Sequence, residues 1–184
     1  MKIILLRHEE RDKDPSFDVH LNANGLIKRN TILSRLKENN IEVDLIFSSP
    51  FLRCLETVLP ICNSYHKDIN VDYSLSEFFD IEYFGDRKPR YFTLDELDSY
   101  PVNLTYLSTL PLPEFKDDYD WDSLQSRLKI FLTNIKERYP NKVILIVSHL
   151  SVINALLNLN NVSRTMEEPL GMGKMTHIDN FKTF

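Results

Sequence analysis

Six residues in this chain have the types and positions to do chemistry together: Arg7, His8, Arg53, Glu77, Ser148 and His149. Arg7-His8 follows the apolar run Ile3-Ile4-Leu5-Leu6, and Ser148-His149 follows Val143-Ile144-Leu145-Ile146-Val147. Runs of branched apolar residues bounded by charge read as strands buried on both faces of a parallel sheet. A third strand, Val43 to Phe47, ends just before a helix whose first turn carries Arg53. In a parallel sheet these strand ends share one carboxyl edge, where open α/β folds bind ligands. Two guanidinium groups, two imidazoles and helix N-terminal amides on one edge make an anion pocket. Arg presents paired donors to carboxylate or phosphate. The three equatorial oxygens of a phosphoryl group suit several such donors better than a planar carboxylate does. The plain alternative for Arg7-His8 alone is a polar strand end, and the other segments weigh against it.

The elements that must position these groups alternate. A polar loop, 9–22, leads through Asn22-Ala23-Asn24-Gly25 to an amphipathic helix over about 24–39, marked by Leu26, Ile27, Ile32, Leu33 and Leu36. The helix after Ser48-Ser49-Pro50 carries Phe51, Leu52, Leu55, Val58, Leu59 and Cys62, with Pro60 expected to kink or shorten it. A short strand over 69–73 precedes Leu75-Ser76-Glu77-Phe78. Residues from about 79 to 120 are rich in aromatics, Pro and charge, among them Tyr83, Phe84, Tyr91, Phe92 and Phe115. They read as an irregular insertion over the site, with a turn or two of helix at Thr93 to Leu97. A helix capped by Asp120 or Asp122 buries Leu124, Leu128, Phe131, Leu132 and Ile135 and stops at Pro140. Another follows His149, and a last strand spans 175–178. The expectation is one domain over 1–184, a three-layer α/β/α fold with a mostly parallel central sheet.

Composition excludes several classes. With 22 Lys+Arg against 27 Asp+Glu the net charge is -5, which argues against a nucleic-acid or anionic membrane surface. No apolar run reaches the ~20 residues of a membrane span, and no signal-peptide pattern precedes the first strand. Cys54 and Cys62, eight residues apart in one predicted helix, make no disulfide framework and read as reduced thiols of a cytoplasmic protein. There is no Gly-rich phosphate loop among the four Gly in the chain. A thiolate phosphatase needs Arg six residues after its Cys, where this chain has Pro60 and Asp68. His8-Glu9-Glu10-Arg11-Asp12 lacks the second His of a zinc helix motif. Asp117-Asp118-Tyr119-Asp120 could hold a divalent ion, but an acidic helix entry fits it better. No metal and no cofactor is expected.

Leu6-Arg7-His8-Glu9-Glu10-Arg11, Ser48-Ser49-Pro50-Phe51-Leu52-Arg53-Cys54-Leu55-Glu56-Thr57, Leu75-Ser76-Glu77-Phe78 and Ile146-Val147-Ser148-His149 resemble, in order and spacing, the signature segments of the histidine phosphatase superfamily, the phosphoglycerate mutase-like group. The variants are most similar to the branch of the suppressor of T-cell receptor signalling and ecdysteroid phosphate phosphatases. The resemblance implies a phosphoglycerate mutase-like fold and a metal-independent phosphomonoesterase. His8 would attack phosphorus and become a phosphohistidine. Arg7, Arg53 and His149 would hold the phosphoryl oxygens, and Glu77 would protonate the leaving oxygen and then activate water. Arg11 and Ser148 are further candidates for phosphate contact, although a local ion pair of Arg11 with Glu10 is an equal reading. Expected substrates are a phosphorylated small molecule or a phosphotyrosine-type group, with a homodimer compatible. The other readings are a non-catalytic phosphate-binding interaction module and, less favoured, a phosphoglycerate-type mutase.

Two positions depart from the family pattern: Glu9, where Gly is usual after the first His, and Leu150, where a small residue is usual after the second. A carboxylate at position 9 would repel phosphate unless it points away or pairs with a base such as Arg11. His20, His66 and His177 have no motif around them. The aromatics of the insertion read more readily as packing than as a stacking surface for an aryl phosphate.

Overall fold

The computed structural model describes residues 1–13, 18–79, 92–93, 95–111, 120–162 and 170–178. Its centre is a five-stranded sheet of β1 (Lys2–Arg7), β2 (Leu45–Ser48), β3 (Ile69–Val71), β4 (Val143–Ser148) and β5 (Met175–Ile178), in the order β3-β2-β4-β1-β5. β1, β2, β3 and β4 run parallel, and β5 pairs antiparallel with β1. The helices are α1 (Ala23–Glu38), α2 (Leu52–Tyr65), α3 (Trp121–Arg138) and α4 (Leu150–Leu159).

Side chains alternate across the pleat of each strand. Ile3, Leu5, Phe47, Ile144 and Ile146 therefore face α3 and α4, packing with Leu128, Phe131, Leu132 and Leu156. Ile4, Leu6, Ile46, Leu145 and Val147 face α1 and α2, packing with Ile32, Leu36, Leu55 and Val58. The result is the expected three-layer α/β/α fold. Each fully buried Leu, Ile or Phe contributes roughly 1.5–3 kcal/mol by leaving water.

Element bounds differ from the sequence reading in ways that bear on the site. Strand β2 begins at Leu45 rather than Val43: the Asp44 amide still donates to the Val143 carbonyl, but the Val143 amide donates to the Asp44 carboxylate at 2.8 Å and not to a backbone carbonyl of β2. Strand β3 ends at Val71. Asp72 turns the chain into a 3-10 turn, Tyr73–Leu75, by accepting from the Ser74 amide. Pro60 does not end its helix; α2 runs through it to Tyr65. Proline removes the N–H that would bond the carbonyl of residue 56, and the Arg29 guanidinium donates to that carbonyl instead, at 2.8 Å.

The described part of the insertion lies along the outer edge of β3. Ile69 donates to the Pro101 carbonyl and Asn103 to the Ile69 carbonyl. Leu97, at the end of a 3-10 turn (Asp95–Leu97), is fully buried, and so is Tyr106 against Phe47. Residues 80–91 and 112–119 lie outside the described residues, and with them Tyr83, Phe84, Tyr91, Phe115 and Asp117-Asp118-Tyr119. Asp120 is the cap of α3, accepting from the Ser123 amide at 2.7 Å. Both cysteines are free and buried. Among the described residues no helix is long and apolar enough to cross a membrane.

Candidate active site

The parallel register of β1 and β4 sets Arg7 opposite Ser148. The His8 amide then donates to the Ser148 carbonyl at 3.0 Å, extending the ladder by one residue. This brings the imidazoles of His8 and His149 edge to face, with ring centroids 5.4 Å apart. From the far side of β4, Ser49 donates its amide to Val147, and α2 starts three residues later with Arg53 in its first turn. The Arg53 guanidinium lies 3.2 Å from His149 Nδ1 and 4.8 Å over the Phe51 ring, and is 2 % exposed. Glu77 arrives from the segment after the 3-10 turn. Its Oε2 is 3.2 Å from His149 Nδ1 and 3.7 Å from Arg53 Nη2. Arg7 is half-buried, donates to the Leu170 carbonyl at 2.8 Å and lies within the field of Glu77.

The electrostatics of this cluster follow from its burial. His8 is 3 % exposed. Loss of water, then the positive fields of His149 and Arg53, hold its pKa well below the ordinary histidine value. It is neutral, and its Nδ1–H donates to the Glu9 carbonyl at 2.8 Å. That bond fixes the tautomer and leaves the Nε2 lone pair without a partner among the described residues. Burial also dominates at His149 and lowers it to about 4, against an opposing pull from Glu77. With His149 neutral, Nδ1–H donates to the Glu77 carboxylate and Nε2 accepts from the Ser49 hydroxyl at 2.8 Å. For Glu77 burial pushes upward, but His149, Arg53 and His8 together outweigh it and bring the carboxyl down to about 2. The site therefore holds an ionised Glu77 between a cation and a hydrogen-bond donor. Burial lowers Arg7, with Glu77 opposing the shift.

The other sequence candidates fall outside this ring of contacts. Ser148 is fully buried and donates its hydroxyl to the Leu75 carbonyl at 2.7 Å, tying β4 to the turn that carries Glu77. Arg11 donates to the Asp12 carbonyl and adds to the positive field at Arg7. The ion pair of Glu10 is with Lys28 on α1, not with Arg11. His20 bonds Glu56 at 2.6 Å, His66 is the left-handed C-cap of α2 at φ 52°, and His177 is exposed on β5. Glu9 points away from the pocket: its carboxylate lies against Gly173 and within the fields of Lys28 and Arg35. Leu150 packs partly into the core beside α3 and α4.

Three supporting residues escaped the sequence reading. Arg127, 8 % exposed, donates to the carbonyls of Ser74, Ser76 and Glu77. Its signal was present: one cation three residues after Leu124, on the apolar face of α3. Asp72 is fully buried and accepts from Ser74, Tyr106 and Thr109. Thr57 donates to the Arg53 carbonyl at 2.6 Å and accepts from the Glu9 amide at 2.9 Å, joining two site segments.

Comparison with known proteins agrees with this arrangement. Residues 3–180 match the histidine phosphatase superfamily (branch 1). The chain belongs to that superfamily. Among solved structures, this family member is similar to the ecdysone phosphate phosphatase of Bombix mori in complex with tungstate, with a TM-score of 0.74 and 15% identity, over 97% of this chain and 89% of that one. It is also similar to the alpha-ribazole phosphatase of Shigella flexneri (TM-score 0.70, 18% identity, 100% and 93% covered). Phosphoserine phosphatase of Entamoeba histolytica in complex with 3-phosphoglyceric acid is a third (TM-score 0.64, 23% identity, 96% and 89% covered). A curated relative, the transcription factor tau 55 kDa subunit of Saccharomyces cerevisiae, is 26% identical over 165 residues, 82% of this chain and 37% of that protein. This chain thus spans little more than a third of that relative's length. Family membership supports a phosphatase.

Proposed function

We propose that the chain is a metal-independent phosphomonoesterase working through a phosphohistidine at His8, within a single domain that carries its insertion of about 79–120 over the site. One observation carries the reading: a neutral imidazole whose Nδ1–H is held by the Glu9 carbonyl, beside two guanidinium groups and one carboxyl. The Nε2 lone pair of His8 attacks phosphorus as the P–O bond to the leaving group breaks. Arg7, Arg53 and the His149 ring stabilise the charge on the equatorial oxygens, so positive charge comes from side chains of this chain. Arg11 adds its field at the rim. Ser148, its hydroxyl given to Leu75, acts by position.

Glu77 must carry a proton to the leaving oxygen, although its protein neighbours by themselves favour its ionised form. A bound phosphoryl anion offsets Arg53 and raises Glu77, and a substrate monoanion brings the proton with it. Water then attacks the phosphohistidine, Glu77 takes its proton, and inorganic phosphate leaves. The site chemistry fits a phosphorylated small molecule or a phosphotyrosine-type substrate, and the composition fits a cytoplasmic enzyme that does not bind nucleic acid. A homodimer is compatible with it.

A second reading, a phosphate-binding interaction module, draws on the match to a transcription factor subunit. Hydrolysis of p-nitrophenyl phosphate from pH 4 to 8 with EDTA present separates the two. Turnover that is lost in His8→Ala supports the esterase, the expected drop being about four orders of magnitude or more. Wild-type protein that binds phosphate without turnover supports the module. Turnover abolished by EDTA would refute the metal-free mechanism.

A further inference from the structure

Position 9 carries a carboxylate where the family usually has Gly, and the residue is 3 % exposed. Its side chain fills a defined place. A Cβ on Gly173 would lie 1.7 Å from Glu9 Oε1 and 2.3 Å from Glu9 Cδ, so the carboxylate rests directly on the glycine Cα. Gly173 also sits at φ +64°, a backbone conformation suited to glycine. Glu9 and Gly173 thus fit each other as wedge and notch, and neither tolerates the other's enlargement.

The notch belongs to the turn that grips the nucleophile's own strand end. The Gly173 amide lies 3.1 Å from the Arg7 carbonyl and 3.2 Å from the His8 carbonyl, and the Arg7 amide donates to Lys174. On α1, Arg35 donates to the Gly173 carbonyl at 3.4 Å, so the notch is held from behind. The wedge residue is itself fixed at three atoms. Its amide donates to Thr57, its Oε2 accepts from the Glu10 amide at 3.3 Å, and its carbonyl accepts the His8 Nδ1–H. The Glu9–Glu10 peptide plane, with its carbonyl on the His8 Nδ1–H and its N–H on Glu9 Oε2, cannot rotate without drawing the Glu10 amide off the carboxylate that sits in the notch.

We propose that Glu9 is a positioning residue for His8. Its buried side chain, wedged on Gly173, locks the peptide carbonyl that holds the His8 imidazole in the attacking tautomer. The inference rests on His8 being the nucleophile, but its structural half, the tautomer lock, is testable without turnover.

The test compares wild type with Glu9→Gly and Glu9→Gln. In each free protein, ¹⁵N NMR of the imidazoles reads the His8 tautomer. Steady-state kinetics with p-nitrophenyl phosphate read kcat against KM. In wild type His8 is protonated at Nδ1. In Glu9→Gly the unlocked carbonyl gives a mixture of tautomers, and kcat falls about tenfold with KM unchanged within about twofold. Glu9→Gln keeps the length and the acceptor for the Glu10 amide, and restores both readouts. If Glu9→Gly does not fold, Glu9→Ala takes its place with the same expected pattern. A wild-type tautomer in the truncated variant would overturn the proposal. So would a Glu9→Gln variant as impaired as the truncation. A shifted tautomer in a protein without wild-type turnover would uphold the lock and overturn the phosphatase reading instead.

Discussion

In the proposed mechanism the site has two poles, one for phosphate and one for the proton, built in different ways. The phosphate pole, Arg7, His8, Arg53 and His149, stands on strand ends and on the first turn of α2, where the ladder of the sheet fixes each backbone. The proton pole, Glu77, hangs from an irregular segment after β3, held by side-chain contacts and not by a ladder: Arg127 from α3, Ser148 from the end of β4 and Asp72 through the 3-10 turn. One pole inherits its precision from regular structure. The other needs buried polar contacts made for the purpose, and such contacts are costly to leave half-made. The difference predicts that the poles fail differently.

Breaking the proton pole directly gives the largest substrate-dependent effect. Glu77→Ala is expected to lower kcat/KM on an alkyl phosphate by about 10²–10⁴, the usual worth of general acid catalysis. An activated aryl phosphate, whose leaving group needs no proton, should lose far less. Equal losses on the two substrates would remove Glu77 from the acid role. Breaking the phosphate pole gives the opposite signature. Arg53→Ala should cost about 10²–10³ on both substrates alike, since it removes charge stabilisation common to every transfer.

Loosening the proton pole from behind is the next step down. Arg127→Met leaves the carbonyls of Ser74, Ser76 and Glu77 without this donor, and the expected loss of stability is about 1–3 kcal/mol, read by urea unfolding. In the folded enzyme it should reproduce the leaving-group bias of Glu77→Ala at about tenfold. A loss of stability with no such bias would show that Arg127 supports the fold and not the acid.

The same contrast explains what could be read from the sequence. The phosphate pole was legible because buried parallel strands are contiguous apolar runs, and the residue after each run must lie on the carboxyl edge. Helix bounds, a cap at Asp120 or Asp122 and the last strand followed from local signals, whereas the antiparallel pairing of that strand did not. The support of Glu77 was not legible, because Arg127, Asp72 and Tyr106 meet only through the tertiary fold, across separations of 34–53 residues. The Glu10 ion pair with Arg11, one of two equal readings, is replaced for a related reason: Glu10 meets Lys28 on α1 across 18 residues of sequence. The expectation that Pro60 kinks or shortens α2 could not foresee that the freed Glu56 carbonyl finds Arg29 in three dimensions.

The expected effect of pH on stability tests whether the poles are coupled. His149 in the folded protein titrates at about 4, below its ordinary value of 6.5, because burial disfavours the cation. Between those values the unfolded chain binds a proton that the folded chain refuses, so stability falls as pH drops from 6.5 towards 4. Glu77 adds to the same trend lower down. Its folded value of about 2 lies below the ordinary 4.5, so the stability it contributes above pH 4.5 is lost as pH falls from there towards 2. Urea unfolding at pH 7, 5, 4 and 3 should show this decline, and His149→Gln should flatten its upper part. Flattening of only the upper part would mean that the poles titrate independently. If the lower part flattens as well, the ionised Glu77 depends on His149 for its low pKa, as their 3.2 Å contact requires.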